Sequence, residues 1–205
     1  MAMSLVSYLK NPSQAVEELK QKTELKTMQN SLVMVFVSAV LFAVNSYVGL
    51  NLLENMGLEI TGPELLVSVL EMGTVNLATG SFFLIFLGGL FFGYLMKVVL
   101  NVLGGEGDYW DGLTTIAYPV FSVSLGILLA MIFSYVPTVG PALAFIFVAV
   151  FFAIGYSSMF RLAKEMFDVG MIEAFIGVTV VLAVGLVAIY GGLLTTPEGV
   201  MAVIP

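Results

Sequence analysis

Residues 104–119 read GGEGDYWDGLTTIAYP. The stretch follows one apolar run and leads into another. It gathers four Gly, three acids, the one Trp of the chain and a Tyr-Pro pair. Three readings are open for it: a hairpin between two membrane spans, a metal-binding loop, or the Gly-x-Gly-Asp of an intramembrane protease. The rest of the chain decides among them.

The 205 residues are 60% hydrophobic and 10% charged, with a mean hydropathy of +1.06. Soluble domains are about a quarter charged. So few polar side chains leave too little surface for water to solvate, and the composition points to a polytopic membrane protein. Long unbroken apolar runs give helices, whereas a transmembrane barrel shows short alternating segments, so the fold class is all-α. There is no Cys and no His. Their absence excludes disulfides, Cys or His zinc sites, Cys-His nucleophiles and His proton relays. A net charge of −7 argues against nucleic acid as a partner. Nothing in the sequence calls for a cofactor.

Five apolar segments are long enough to cross a hydrocarbon core of about 30 Å. They run Ser31–Leu53, Leu77–Val102, Leu113–Val136, Ala142–Phe160 and Met171–Leu194. The basic residues orient them. Lys10, Lys20, Lys22 and Lys26 precede the first segment, Lys97 ends the second, and Arg161 and Lys164 follow the fourth. Five spans place all of these on one side, so the N-terminus is expected in the cytoplasm and the C-terminus outside. The connection Glu54–Asn76 holds four Glu and no basic residue, as suits an outer loop.

Residues 1–30 are read as a cytoplasmic amphipathic segment. It contains NPSQAVEELKQKTELK at 11–26, too charged and too acidic for a signal peptide. Asn11 and Pro12 suit a helix start, and Glu18 and Lys22 are spaced as a surface pair. Residues 31–194 form one membrane domain and 195–205 a short external tail. Within the outer loop, PELLVSVLEMG at 63–73 reads as a short helix, lying along the interface or packed on the bundle. After the fourth segment, RLAKEMFD at 161–168 can continue the helix into water. Arg161–Glu165 and Lys164–Asp168 are spaced as pairs there, and Gly170 would end it.

Small residues recur four apart: Ala39 and Ala43, Gly89 and Gly93, Gly126 and Ala130, Ala149 and Ala153, Ala188 and Gly192. Such pairs let helix backbones approach closely in lipid. They serve packing within the bundle or pairing with a second copy or a related membrane protein, for instance through GGLFFG at 88–93. Intramembrane polar residues are few: Asn45 and Asn51 in the first segment, Lys97 late in the second. A charge at mid-membrane costs roughly 2.5–3.5 kcal/mol on insertion scales, and no assigned segment has one near its middle. A proton-coupled transporter or pump usually needs one. Lys97 can extend its stem to the cytoplasmic interface. Asn45 can bond a neighbouring helix. A small transporter or channel using a polar path past Asn45 and Asn51 stays as an alternative.

The opening stretch is now constrained. Glu106, Asp108 and Asp111 do not follow the calcium-loop pattern. GEGD at 105–108 resembles the motif of presenilin and prepilin-peptidase proteases, which require a second carboxylate from another membrane helix. The remaining Asp residues, Asp111 and Asp168, lie in no assigned span. The third reading is structural. Gly104, Gly105 and Gly107 supply positive-φ turns. Tyr109 and Trp110 anchor at the interface. Asp111 caps the third helix, and Pro119 frees a carbonyl near Thr115 and bends that helix.

Five spans, a cytoplasmic lead containing NPSQAVEEL, and a cytoplasmic hairpin reading LGGEGDYWDGLTTIAYP together resemble the Yip-one family of Ypt-interacting membrane proteins. The features that carry the resemblance are Gly104-Gly105, Tyr109 and Tyr118-Pro119. It covers Asn11 to about Leu194. It implies a five-helix membrane domain without catalysis. Eukaryotic members reside in Golgi and endoplasmic reticulum membranes, associate with prenylated Rab-type GTPases and pair with related membrane proteins in vesicle traffic. This chain departs from them in lacking their long cytosolic N-terminal region and their Asp-Leu-Tyr-Gly-Pro stretch. The nearest match, ITGPELL at 60–66, falls on the outer side. GTPase binding is therefore not carried over. The short prokaryotic members are the better likeness, which implies a prokaryotic plasma membrane and membrane lipids as constant partners. The expected contact surface is the cytoplasmic face: Glu106, Asp108, Tyr109, Trp110, Asp111, Arg161 and Lys164.

Overall fold

A computed structural model of the protein describes residues 24–55, 73–136 and 138–194. Among them are five α-helices and no strand. They are α1 (Glu24–Asn55), α2 (Thr74–Val102), α3 (Tyr109–Ser134), α4 (Gly140–Phe167) and α5 (Met171–Leu194). The N-terminal segment, the short outer helix and the external tail expected from the sequence lie outside the described residues. Four helices are long and apolar enough to cross a membrane: Met28–Gly49 of α1, and the whole of α2, α3 and α4. In α5 the apolar stretch is Met171–Val187.

Helix α3 sits at the centre, packed against α1, α2 and α4, while α5 lies on α2 and α4. From Gly112 to Pro119 every residue of α3 is buried. Lipid offers no hydrophobic drive between helices, so close backbone approach and polar links must hold them. Both are present. A Cβ on Gly112 would stand 2.2 Å from the Gly93 carbonyl oxygen, and one on Gly93 would stand 2.8 Å from Leu113 Cα. Only glycine permits that crossing of α2 and α3. Ser31 Oγ meets Thr114 Oγ1 between α1 and α3. Asn45 Nδ2 donates to the Ser124 carbonyl at 3.0 Å, and Ser46 and Ser81 share a hydroxyl bond of 2.7 Å between α1 and α2. Aromatic pairs add contact: Phe36 lies edge-on to Phe82, Phe133 stacks on Phe147, and Phe160 stacks on Phe175.

The ends of the helices have local causes. Helix α2 closes with Gly104 at φ +98°; Gly105 N–H reaches the Leu100 carbonyl at 3.0 Å, and Gly104 N–H reaches that of Asn101 at 3.1 Å. This is a Schellman end, which needs a left-handed residue. Helix α4 ends the same way. Asp168 takes φ +53°, and Val169 N–H reaches the Lys164 carbonyl at 3.2 Å. Asp168, not Gly170, is thus the left-handed terminator.

Packing is tightest at the end where α2 meets α3 and α4 meets α5. Leu113, Leu162, Ala163, Phe167, Ala174 and Val178 are all sealed from the surroundings there. At the opposite end, Phe145, Ile146, Val148 and Val150 of α4 are exposed, as the hydrocarbon of a bilayer allows.

Candidate interaction surface at the hairpin end

The hairpin between α2 and α3 begins as a cap. Asp108 is the N-cap of α3. Its Oδ1 accepts from Trp110 N–H at 2.7 Å and from Asp111 N–H at 2.9 Å. Asp111 Oδ2 in return accepts from Asp108 N–H at 2.8 Å. This reciprocal capping box satisfies helix-end donors that lipid or interface would leave unpaired. Asp108 therefore caps, and Asp111 answers from the first turn. The two carboxylates lie beside each other on one helix start, each holding backbone N–H groups. Among the described residues no group of three or more His, Cys, Asp or Glu converges as a metal site.

The glycines of the loop do two different jobs. Only Gly104 of the three takes a positive φ. Gly107 is required by close approach instead, and a side chain at Gly105 would be tight. A Cβ on Gly107 would lie 2.3 Å from Phe167 Cδ1, and one on Gly105 would lie 3.0 Å from Val169 Cγ1. Phe167 is completely buried. Its ring fills the hollow of the hairpin, and its carbonyl accepts from Glu106 N–H at 3.1 Å. Asn101 Nδ2 ties the loop from the other side, donating to the Gly107 carbonyl at 3.0 Å. The two Schellman ends of α2 and α4 thus dock against one another.

The structure brings the hairpin and the end of α4 together, but their exposure is uneven. Glu106, Arg161 and Lys164 are exposed; Asp108, Tyr109, Trp110 and Asp111 are half-buried. Tyr109 and Trp110 meet edge to face with ring centroids 4.9 Å apart, and Tyr109 Oη lies 3.3 Å from the Leu90 carbonyl. Lys164 lies 3.8 Å from Glu165. The helix continues through 161–167, as RLAKEMFD suggested, but only one side of it is exposed. Leu162, Ala163, Met166 and Phe167 form one buried face within a continuous α4. Those four apolar positions, spaced at one, four and five, were visible in RLAKEMFD as an amphipathic face. Phe167 is the residue that sequence reasoning missed.

The intramembrane candidates take separate places. Asn45 is 3% exposed and links α1 to α3, with its Oδ1 buried and unpaired. Asn51 lies on α1, but its side chain falls outside the described residues. Lys97 is half-buried, five residues before the end of α2. Pro119 is inside α3 and buried, its carbonyl 2.9 Å from where a Gly155 Cβ would stand. Several of the small-residue pairs are used within the chain. Gly89 faces Val35, Gly93 faces Leu113, and Gly126 faces Phe151. Ala149 and Ala153 are exposed.

Neither a curated protein nor a solved structure matches this chain. A family model does: the Yip1 domain matches residues 6–192. The match spans all five described helices apart from the last two residues of α5, including the hairpin with its Gly104-Gly105 turn, Tyr109 and Tyr118-Pro119. This multi-pass integral membrane protein belongs to the Yip1 domain family.

Proposed function

We propose that the protein is a non-catalytic, five-span membrane scaffold that recruits partner proteins to its cytoplasmic hairpin end, in the manner of Yip proteins that organise membrane traffic. The observation that carries this reading is the build of that end. The loop is fixed by a capping box, two Schellman turns and the buried Phe167 ring, while Glu106, Arg161 and Lys164 point their charges outward. A surface ordered before binding loses little conformational entropy on docking. Mixed charge on a rigid rim gives specificity and steering more than raw affinity. The fifth span is α5. Its 24 residues reach about 36 Å at 1.5 Å per residue, enough for the hydrocarbon core. Five crossings put the termini on opposite sides and the hairpin on the side of the N-terminus, and the positive-inside bias of Lys97, Arg161 and Lys164 makes that side the cytoplasm. The membrane is a prokaryotic plasma membrane on the likeness to short Yip members. Asp108 serves α3 rather than a protease dyad, and Asn45 serves the α1–α3 contact rather than a conduction path.

Deleting the hairpin would remove the packing around Phe167 and unfold the end being tested. Point changes are the cleaner probe. Photoreactive residues at Glu106 and Lys164 should capture the same protein in native membranes. With the probe at Glu106, the Arg161→Glu/Lys164→Glu variant should lose that adduct while keeping its abundance. Undiminished capture by a well-expressed variant would overturn the recruiting role.

A further inference from the structure

A recess of about 440 Å³ lies within the bundle, walled by α3, α4 and α5 and closed on another side by Phe42 of α1 and Ile85 and Phe92 of α2. Its floor is α3, at Ile116, Pro119 and Val123. Its lips are Phe152 and Tyr156 of α4 and Leu182 and Leu186 of α5, all four exposed. Toward the hairpin it is shut, because Phe160 of α4 stacks on Phe175 of α5 with centroids 5.5 Å apart and Val178 is sealed. It therefore opens sideways, away from the hairpin. Its depth places it among lipid tails: counted from Tyr109, the floor lies about 10–20 Å along α3.

We propose that this recess binds one acyl chain of a membrane phospholipid. The proposal rests on bilayer embedding and not on the recruiting role. Three observations select the occupant. The walls are hydrocarbon and aromatic ring, so water, an ion or a headgroup would forfeit its hydrogen bonds. A cavity of ~150 Å³ with such walls stays dry and takes benzene, and this one is about three times larger. A helix from a second copy is too thick. A helix of about 10–12 Å diameter would rest on the exposed lips and not reach the buried floor at Ile116 and Pro119. A single polymethylene chain carries no polar group, is slim, and is continuous with the surrounding bilayer.

The test uses the full-length protein in phosphatidylethanolamine/phosphatidylglycerol vesicles containing a phospholipid with a diazirine midway along one acyl chain. After photolysis, peptide mapping should concentrate label on Val123, Phe152, Tyr156 and Leu186, above that on the bilayer-facing Phe83 and Leu84 of α2. Filling the recess with Val123→Phe, or its mouth with Leu182→Trp and Leu186→Trp on exposed positions, should abolish the excess and leave Phe83 and Leu84 labelling unchanged. Even label across both faces of wild type, or an excess that survives in a folded filled variant, overturns the proposal. So does labelling by a free diazirine fatty acid with none by the phospholipid, or an intermolecular protein crosslink at Phe152 in its place.

Discussion

Gly107→Ala is the sharpest test of how the hairpin end is held. A methyl on Gly107 would stand 2.3 Å from Phe167 Cδ1 and 2.5 Å from Cε1, where carbon atoms prefer about 3.5–4.0 Å. The ring must retreat by more than an ångström. Phe167 is fully buried, so the ring can move only by displacing its neighbours. Overpacking of this kind costs about 1–3 kcal/mol. Phe167→Ala alone should cost about 3–5 kcal/mol, since the emptied hollow is walled by backbone. In that background the Gly107 methyl enters the hollow and should cost almost nothing. The cycle therefore predicts a coupling of about 1–3 kcal/mol between the two sites. Unfolding by SDS in mixed micelles can be followed through Trp110, the one Trp of the chain, which sits on the first turn of α3. Gly104→Ala is the control. Its Cβ meets nothing within 4 Å, but its φ is +98°. It should cost about 1–2 kcal/mol of backbone strain, equally with or without Phe167. Additivity of Gly107→Ala and Phe167→Ala within about 0.5 kcal/mol would refute the packing account.

The remaining expectations concern helix ends, crossings and orientation. Asp108→Ala should cost about 0.5–2 kcal/mol by removing the cap of α3, and Asp108→Asn, which keeps an acceptor, should recover most of it in the same SDS titration. Gly112→Ala should abolish accumulation of folded protein, because its methyl would meet the Gly93 carbonyl at 2.2 Å, while Gly88→Ala, with nothing within 4 Å, should be neutral; size-exclusion profiles of the two variants decide this. Asn45→Leu should cost roughly 0.6 kcal/mol and at most about 1.7 kcal/mol, the range for hydrogen bonds between membrane helices. In a cysteine-free chain, Glu106→Cys should react with impermeant maleimide only from the cytoplasmic side and Thr138→Cys only from outside; the reverse pattern overturns the orientation.

The helices were legible because lipid enforces them: an apolar run near twenty residues has no alternative in a bilayer. The span boundaries at Val102 and Met171 match the helix ends for that reason, and α4 continues past Phe160 to Phe167, as RLAKEMFD suggested. Charge hid the burial of its inner face. Arg161, Lys164 and Glu165 mark an aqueous exit by composition, yet Leu162, Ala163, Met166 and Phe167 occupy the face turned to the bundle. The hairpin was legible as a turn but not in its mechanics. Gly, Asp and Pro announce a reversal of the chain. Which glycine bears strain and which yields space depends on Phe167, some sixty positions away, and no local pattern carries that contact. The capping partners were transposed for a smaller reason. Asp108 and Asp111 are three apart, and either can start a helix until the backbone of the other is placed. The lateral recess had no sequence signal, since its walls read as ordinary membrane residues.

The two ends of the molecule solve different problems with different chemistry. At the hairpin end, the α2–α3 and α4–α5 connections meet water, so backbone groups need partners supplied by the protein itself. Capping box, Schellman turns and the Asn101–Gly107 bond supply them, and glycine contacts bring the chains close enough for those bonds to form. Farther into the membrane, backbone groups are satisfied within each helix, and α4 and α5 can part without stranding any of them. What limits the gap there is the loss of dispersion contact along its walls, and lipid can restore it. The proposed docking surface and the proposed lipid slot can thus share α4 without competing. Arg161, Lys164 and Phe167 lie past the Phe160–Phe175 stack, and Phe152 and Tyr156 lie before it. If the stack is what separates them, Phe175→Ala should extend acyl-chain labelling toward Ala174 and Val178, with Trp110 emission unchanged. Labelling that still stops at Val181 would show that the seam of α5 against α2, through Gly177 on Leu100 and Gly185 on Phe92, closes the slot instead.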